Sequence, residues 1–223
     1  MNEDDKTKED SLLTRRELAR RWKVSIETLK RRERTIGAPD DYIATLLLDV
    51  LRKFSAVYPR VALELICAPG MVLAPMLADN KIDLAFFSRG NRTKGAFIRF
   101  EPMVWVGTEE AQAWLNKPLP IALFEKGCIS RLHAERGLKE SRVDYRIVCS
   151  SDSLIGLLTA VEAGLAVAAL AKCSVPRHLK VVGRKEGLPE LERLEIVLAR
   201  ALRSKTKPCD VLAELIHDTL EEA

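Results

Sequence analysis

The residues best placed to do chemistry sit where apolar runs stop and helical patterns begin. Four such junctions recur, at residues 38–42, 68–71, 127–129 and 150–153. A helix start leaves backbone N–H groups unpaired and carries partial positive charge, so it suits a carboxylate or another anion. Open α/β sheets bind ligands beyond the carboxyl ends of their strands, where such junctions gather. The candidate ligand contacts are therefore Ala38, Pro39, Pro69, Gly70, Met71, Gly127, Cys128, Ser151 and Ser153. Ser88 and Arg89, just past a further strand, add a hydroxyl and a guanidinium. Each has a plainer reading. Ser151 and Ser153 serve equally well as caps of their own helix. Asp40 and Asp41 read as caps of the helix that follows them, with a charge that would repel an anion. Arg89 reads as a solvated loop charge, Gly70 and Gly127 as turn geometry, and Arg131 and His133 as helix-surface residues.

A second constellation lies near the N-terminus. Residues 1–10 carry a net charge of −3, residues 11–34 a net +6, and the remainder only +1. The whole positive excess of a 223-residue chain thus sits in one short segment, which points to an anionic partner. Thr14 and Glu17 form a capping box that starts one helix, and Ser25 caps a second, basic one. Two short helices joined by a tight turn form a helix-turn-helix pattern. On that reading Ser25, Glu27, Thr28, Lys30 and Arg31 face base edges, while Arg15, Arg16, Arg20, Arg21 and Arg34 contact phosphates. The plainer reading is a solvated basic helix pair, since its few apolar residues bury too little area to stand alone.

Other chemistries find no support. The histidines, His133, His178 and His217, are far apart, and no nucleophile elbow, phosphate loop or dinucleotide fingerprint occurs. Five cysteines are irregularly spaced and form no CxxC pair, so neither zinc, another cofactor nor a disulfide framework is expected. Cys128 at a helix start has a place that lowers a thiol's pKa, but buried inert cysteine is the commoner case. The composition, 47% hydrophobic and 30% charged, is that of a globular domain. With no apolar run of membrane-spanning length and an acidic, polar N-terminus unlike a secretory leader, the expected location is the cytoplasm with reduced thiols.

The elements that must position the junctions alternate. Strands are expected at 35–38, 61–66, 82–87, 97–106, 121–124, 145–149, 165–170, 179–182 and 194–198. Helices are expected after Asp40 or Asp41, over 70–77, 109–116, 128–140, 153–163 and 211–220. Strand alternating with helix implies parallel sheet between helices, here in two α/β lobes.

The runs IGAPDDYIATLLLDVLRKFSAVYPRVALELI, KIDLAFFSRG, EPMVWVG, SSDSLIGLLTAVEAGLAVAAL and GLPELERLEIVLAR resemble the effector-binding domain of LysR-type transcriptional regulators. The resemblance covers about residues 35–220 and implies a two-lobe, type II periplasmic-binding-protein-like α/β fold preceded by a short helical segment. It implies 35–107 with 193–223 as lobe I and 108–192 as lobe II, while composition and pattern make residues 1–10 a disordered acidic tail and 11–34 a partial helix-turn-helix. A small-molecule effector would lie between the lobes, at the junctions named above, and the long helix after residue 41 would contribute to a homodimer. Residues 11–34 resemble the opening of an excisionase- or phage-type helix-turn-helix rather than the family's own winged one. The expected function is effector-controlled transcription through DNA binding. A stand-alone small-molecule-binding module that has lost DNA binding is the alternative, and an enzyme on the same fold is least favoured.

Overall fold

The computed structural model describes residues 33–90 and 94–221, together with residue 20. Two five-stranded sheets form the two lobes, with orders β2-β1-β3-β10-β4 and β7-β6-β8-β5-β9. The first comprises β1 (Glu33–Ala38), β2 (Ala62–Cys67), β3 (Leu84–Ser88), β4 (Ala96–Glu101) and β10 (Leu194–Arg200). The second comprises β5 (Met103–Gly107), β6 (Leu119–Phe124), β7 (Tyr145–Ser151), β8 (Val167–Ala171) and β9 (Lys180–Val182). The expected alternation holds, but the sheets are mixed. β1 pairs in parallel with β2 and β3, whereas β10 runs antiparallel to β3 and β4.

Three helices serve the first lobe: α1 (Asp40–Val57), α2 (Gly70–Ala78) and α5 (Lys207–Glu221). α1 buries Tyr42, Leu46, Leu47, Val50 and Phe54, a spacing that keeps one stripe inward. The sheet is covered on both faces, so β3 reads as a continuous apolar run. Leu84 and Phe86 join the core shared with α1 and α5, while Ala85 and Phe87 pack with Leu73 and Leu77 of α2. In the second lobe, α3 (Ile129–Glu140) and α4 (Leu154–Glu162) cover opposite faces in the same way.

Two expectations fail for identifiable reasons. The long strand over 97–106 is two strands, because Pro102 has no N–H to continue a ladder and the chain crosses between sheets there. Residues 103–107, expected with lobe I, accordingly pair with β8 and β9 in the second sheet. The helix expected over 109–116 is only a 3-10 turn at Ala113–Leu115, which buries Ala113 and Trp114.

The crossover is pinned chemically. Glu101 is buried, accepts from Arg99 Nη2 at 2.5 Å and from the Cys173 amide at 2.8 Å, and so ties the end of β4 to the turn after β8. The Lys172 amide donates to the Pro102 carbonyl at 2.8 Å beside it. No helix of the described residues is long and apolar enough to cross a membrane.

Candidate functional site

The carboxyl ends of β1, β2, β3, β6 and β7 converge on a cavity of about 700 Å³ between the lobes. Of the expected contacts, Pro39, Pro69, Gly70, Met71, Ser88, Gly127, Cys128 and Ser153 line it. Three do not. Ala38 is fully buried beneath it. Arg89 turns along the sheet, paired with Glu195 at 2.7 Å and donating to the Gly95 carbonyl. Ser151 accepts from the Ser153 amide at 3.0 Å and lies so close to Gly156 that a Cβ there would stand 2.4 Å from its Oγ. Its role is to shape the start of α4.

Residues not proposed from sequence complete the wall. Tyr42 lines it, and its hydroxyl shares a 2.6 Å hydrogen bond with Ser88 Oγ, joining the start of α1 to the end of β3. Burial pushes the Tyr42 pKa well above the usual phenol value, so the hydroxyl stays neutral. Phe87, Phe124, Ile129, Leu132 and Ala74 supply apolar surface. The alternation along β3 was the one available signal that Phe87 faces α2 while Phe86 and Ser88 face α1.

The two aspartates depart most from expectation. Neither caps α1, whose N-cap is Pro39. Asp40 keeps Oδ1 on the Asp41 amide at 3.0 Å and also reaches across the cleft: its Oδ2 accepts from Ser153 Oγ at 2.9 Å and from the Leu154 amide at 2.8 Å. A carboxylate of lobe I therefore sits on the N-terminus of α4 in lobe II, where partial positive charge favours it. Ser153 does cap α4, accepting from the Ile155 amide, while donating to Asp40. Asp41 is only 5% exposed yet lines the cavity. Its pKa is raised to about 7, chiefly by burial and then by the charge of Asp40, with Glu101 adding to the effect.

Other residues also differ. Burial raises the Cys128 thiol above its ordinary pKa despite its place at the start of α3, with the Ser130 and Arg131 amides pulling the other way. Arg131 is buried rather than on the helix surface. It donates to the Phe124 carbonyl at 3.1 Å and Ser150 Oγ at 3.1 Å, and so locks α3 to the ends of β6 and β7. His133 is buried too, with Nδ1 3.1 Å from the Glu192 carbonyl. Gly127 has φ +96°, a backbone conformation that favours glycine, and the movable tip of Met71 lies against it across the cleft. Of the expected nucleic-acid contacts, Arg34 lies in β1 and is 8% exposed, so it presents no basic helix surface. Arg20 is exposed. Arg15, Arg16, Arg21, Ser25, Glu27, Thr28, Lys30 and Arg31 lie outside the described residues.

Two sheets joined by paired crossovers around a central cleft define a periplasmic-binding-protein-like effector-binding fold. The effector binding domain of QuiR, in complex with shikimate, superposes with a TM-score of 0.70 over 85% of this chain and 97% of that one, at 13% identity. The LysR substrate binding domain model matches residues 27–221, and the chain belongs to that family. It is similar to the HTH-type transcriptional regulator DgdR of Burkholderia cepacia, 33% identical over 163 residues, 73% of this chain and 55% of that protein. It is also similar to the HTH-type transcriptional regulator PecT of Dickeya dadantii strain 3937, 25% identical over 167 residues, 74% of this chain and 53% of that protein. The chain spans about half the length of these curated relatives.

Proposed function

We propose that this chain is the sensing part of a LysR-type transcriptional regulator, in which a small molecule held between the lobes alters engagement of DNA. The observation that carries the reading is the cavity of about 700 Å³ at the carboxyl ends of five strands, a volume suited to a metabolite. A ligand touching both walls binds one lobe arrangement better than another, and that differential affinity is the source of any switch. The names of the two relatives support a DNA partner, and the basic segment at residues 11–34 is the candidate contact. A cytoplasmic homodimer, with α1 contributing to the interface, is part of the proposal.

The ligand carries a carboxylate in this reading. α2 begins at Pro69 with no side-chain cap, and Gly70 and Met71 line the cavity at that open helix start. That N-terminus is the anion subsite.

The test is a thermal-shift and calorimetric screen of small carboxylates against the full chain. It is paired with fluorescence anisotropy on random duplex DNA at two salt concentrations, with and without residues 11–34. The reading expects binders that raise the melting temperature, and DNA affinity that falls steeply with salt and disappears on deletion. No DNA binding at low salt would remove the role of residues 11–34. An empty screen of broad chemistry would remove the sensor.

A further inference from the structure

The cleft is electrically lopsided, and the asymmetry specifies more than an anion. Of the helix N-termini that reach it, that of α4 is already occupied by the chain's own Asp40 carboxylate. At α3 the Cys128 sulfur lies against the Ser130 and Arg131 amides. α1 opens with two acids, Asp40 and Asp41. The start of α2 reaches the cavity with no side-chain cap and with no acid in its first turn. The wall therefore has one positive pole, at Gly70 and Met71, and a negative pole at the head of α1.

The negative pole has an unmet need. The Asp41 carboxylate accepts from the Tyr42 amide at 3.1 Å. The charged groups that face it are acidic or thiol: Asp40 on its own helix, Glu101 from the crossover, Cys173 from the turn after β8 and Cys128 from the start of α3. Among the described residues that line the cavity the one cation is Lys126, which is exposed on the loop after β6. A buried carboxylate that no described cation pairs is costly, and the fold holds this one at the edge of a cavity. A group strained in that way, facing a cleft, marks a functional site.

We propose that the ligand is a zwitterion of the amino-acid type, its ammonium on the Asp41 carboxylate, its carboxylate on the amides at the start of α2, and an apolar side chain against the second lobe. Phe124, Ile129 and Leu132 line that far side. The assignment rests on the cleft being a ligand site and adds the chemical class. Asp40 acts beside it as a specificity residue. It withholds the α4 N-terminus from the ligand's carboxylate and so fixes which way round the zwitterion lies.

The experiment is isothermal titration of the full chain with two matched series. One is L-leucine, 4-methylpentanoate and 3-methylbutylamine. The other is L-phenylalanine, 3-phenylpropanoate and 2-phenylethylamine. Within at least one series the amino acid is expected to bind about tenfold or more tightly than either compound lacking a pole. Asp41→Asn is expected to erase the preference for the amino acid over its carboxylate analogue while leaving the analogue's affinity intact. Titration of the wild-type protein near pH 7 in buffers of different ionisation enthalpy should show proton release on binding, because the ammonium drives the Asp41 carboxyl to ionise. That readout is independent of the variant's folding. Carboxylate analogues binding as tightly as the amino acids, or an unchanged preference in Asp41→Asn, would overturn the assignment. If neither amino acid binds while other carboxylates do, the zwitterion falls and the sensor stands. If nothing binds in the broader screen either, both fall.

Discussion

At the residue scale, Asp41 trades stability for chemistry. Its carboxyl ionises at the ordinary value of 3.8 in the unfolded chain and at about 7 in the folded one. Between those values the folded state holds a proton that the unfolded state gives up. Stability is therefore greatest below the lower value and is lost as pH rises toward 7, by about 4 kcal/mol for this group alone. Asp41→Asn is expected to be more stable than the wild type at pH 8 by a few kcal/mol, with the gap closing at pH 5. Urea denaturation at the two pH values checks this. Gly127→Ala should cost about 1–2 kcal/mol, since its backbone has a positive φ that side-chain-bearing residues rarely adopt. The same denaturation series measures it.

At the element scale, the helix starts decide what the cleft can hold. A pattern of apolar residues locates α1, α2, α3 and α4 well, because each buries a stripe against a sheet. The same pattern cannot say which carboxylate serves which helix. Asp40 opens α1, and local rules make it that helix's cap, yet its Oδ2 serves a helix 114 residues further on. Asp40→Ala should leave α4's first amides without that acceptor, at a cost of about 1 kcal/mol. Hydrogen exchange at Leu154 is expected to quicken markedly, while the amides of the α2 core do not change. Pro102 is the converse case. The apolar pattern runs through it as one strand over 97–106, and only pairing partners separate β4 from β5.

At the scale of the whole molecule, two lobes share one crossover lock. Glu101 couples β4 to the turn after β8, and Arg99, its partner, also donates to the Leu220 carbonyl of α5. Removing one member of such a buried pair strands the other charge, so Glu101→Ala should destabilise the protein by about 3 kcal/mol or more. A fall in the denaturation midpoint checks this, and small-angle scattering should show the lobes sampling wider separations. The two-lobe architecture and most junction residues were legible because strand runs, helix stripes and turn residues are local properties of the chain. Pro39, Pro69, Gly70, Met71, Ser88, Gly127, Cys128 and Ser153 all reached the cavity for that reason. Ala38, Arg89 and Ser151 did not, because facing is set by the twist and register of the sheet rather than by position beside a junction.

The amino-acid sequence by itself determined that strand and helix alternate, where the helices start, and that those starts gather at one rim. Periodicity and backbone chemistry act within a few residues, so they can be read in a line. Only the tertiary structure decided the sign of the charge within the rim. The aspartate pair lies far in sequence from the helix that one of them serves, and from the crossover carboxylate and thiols that surround the other. Burial and electrostatics depend on distance through space, and the chain's fold sets that distance.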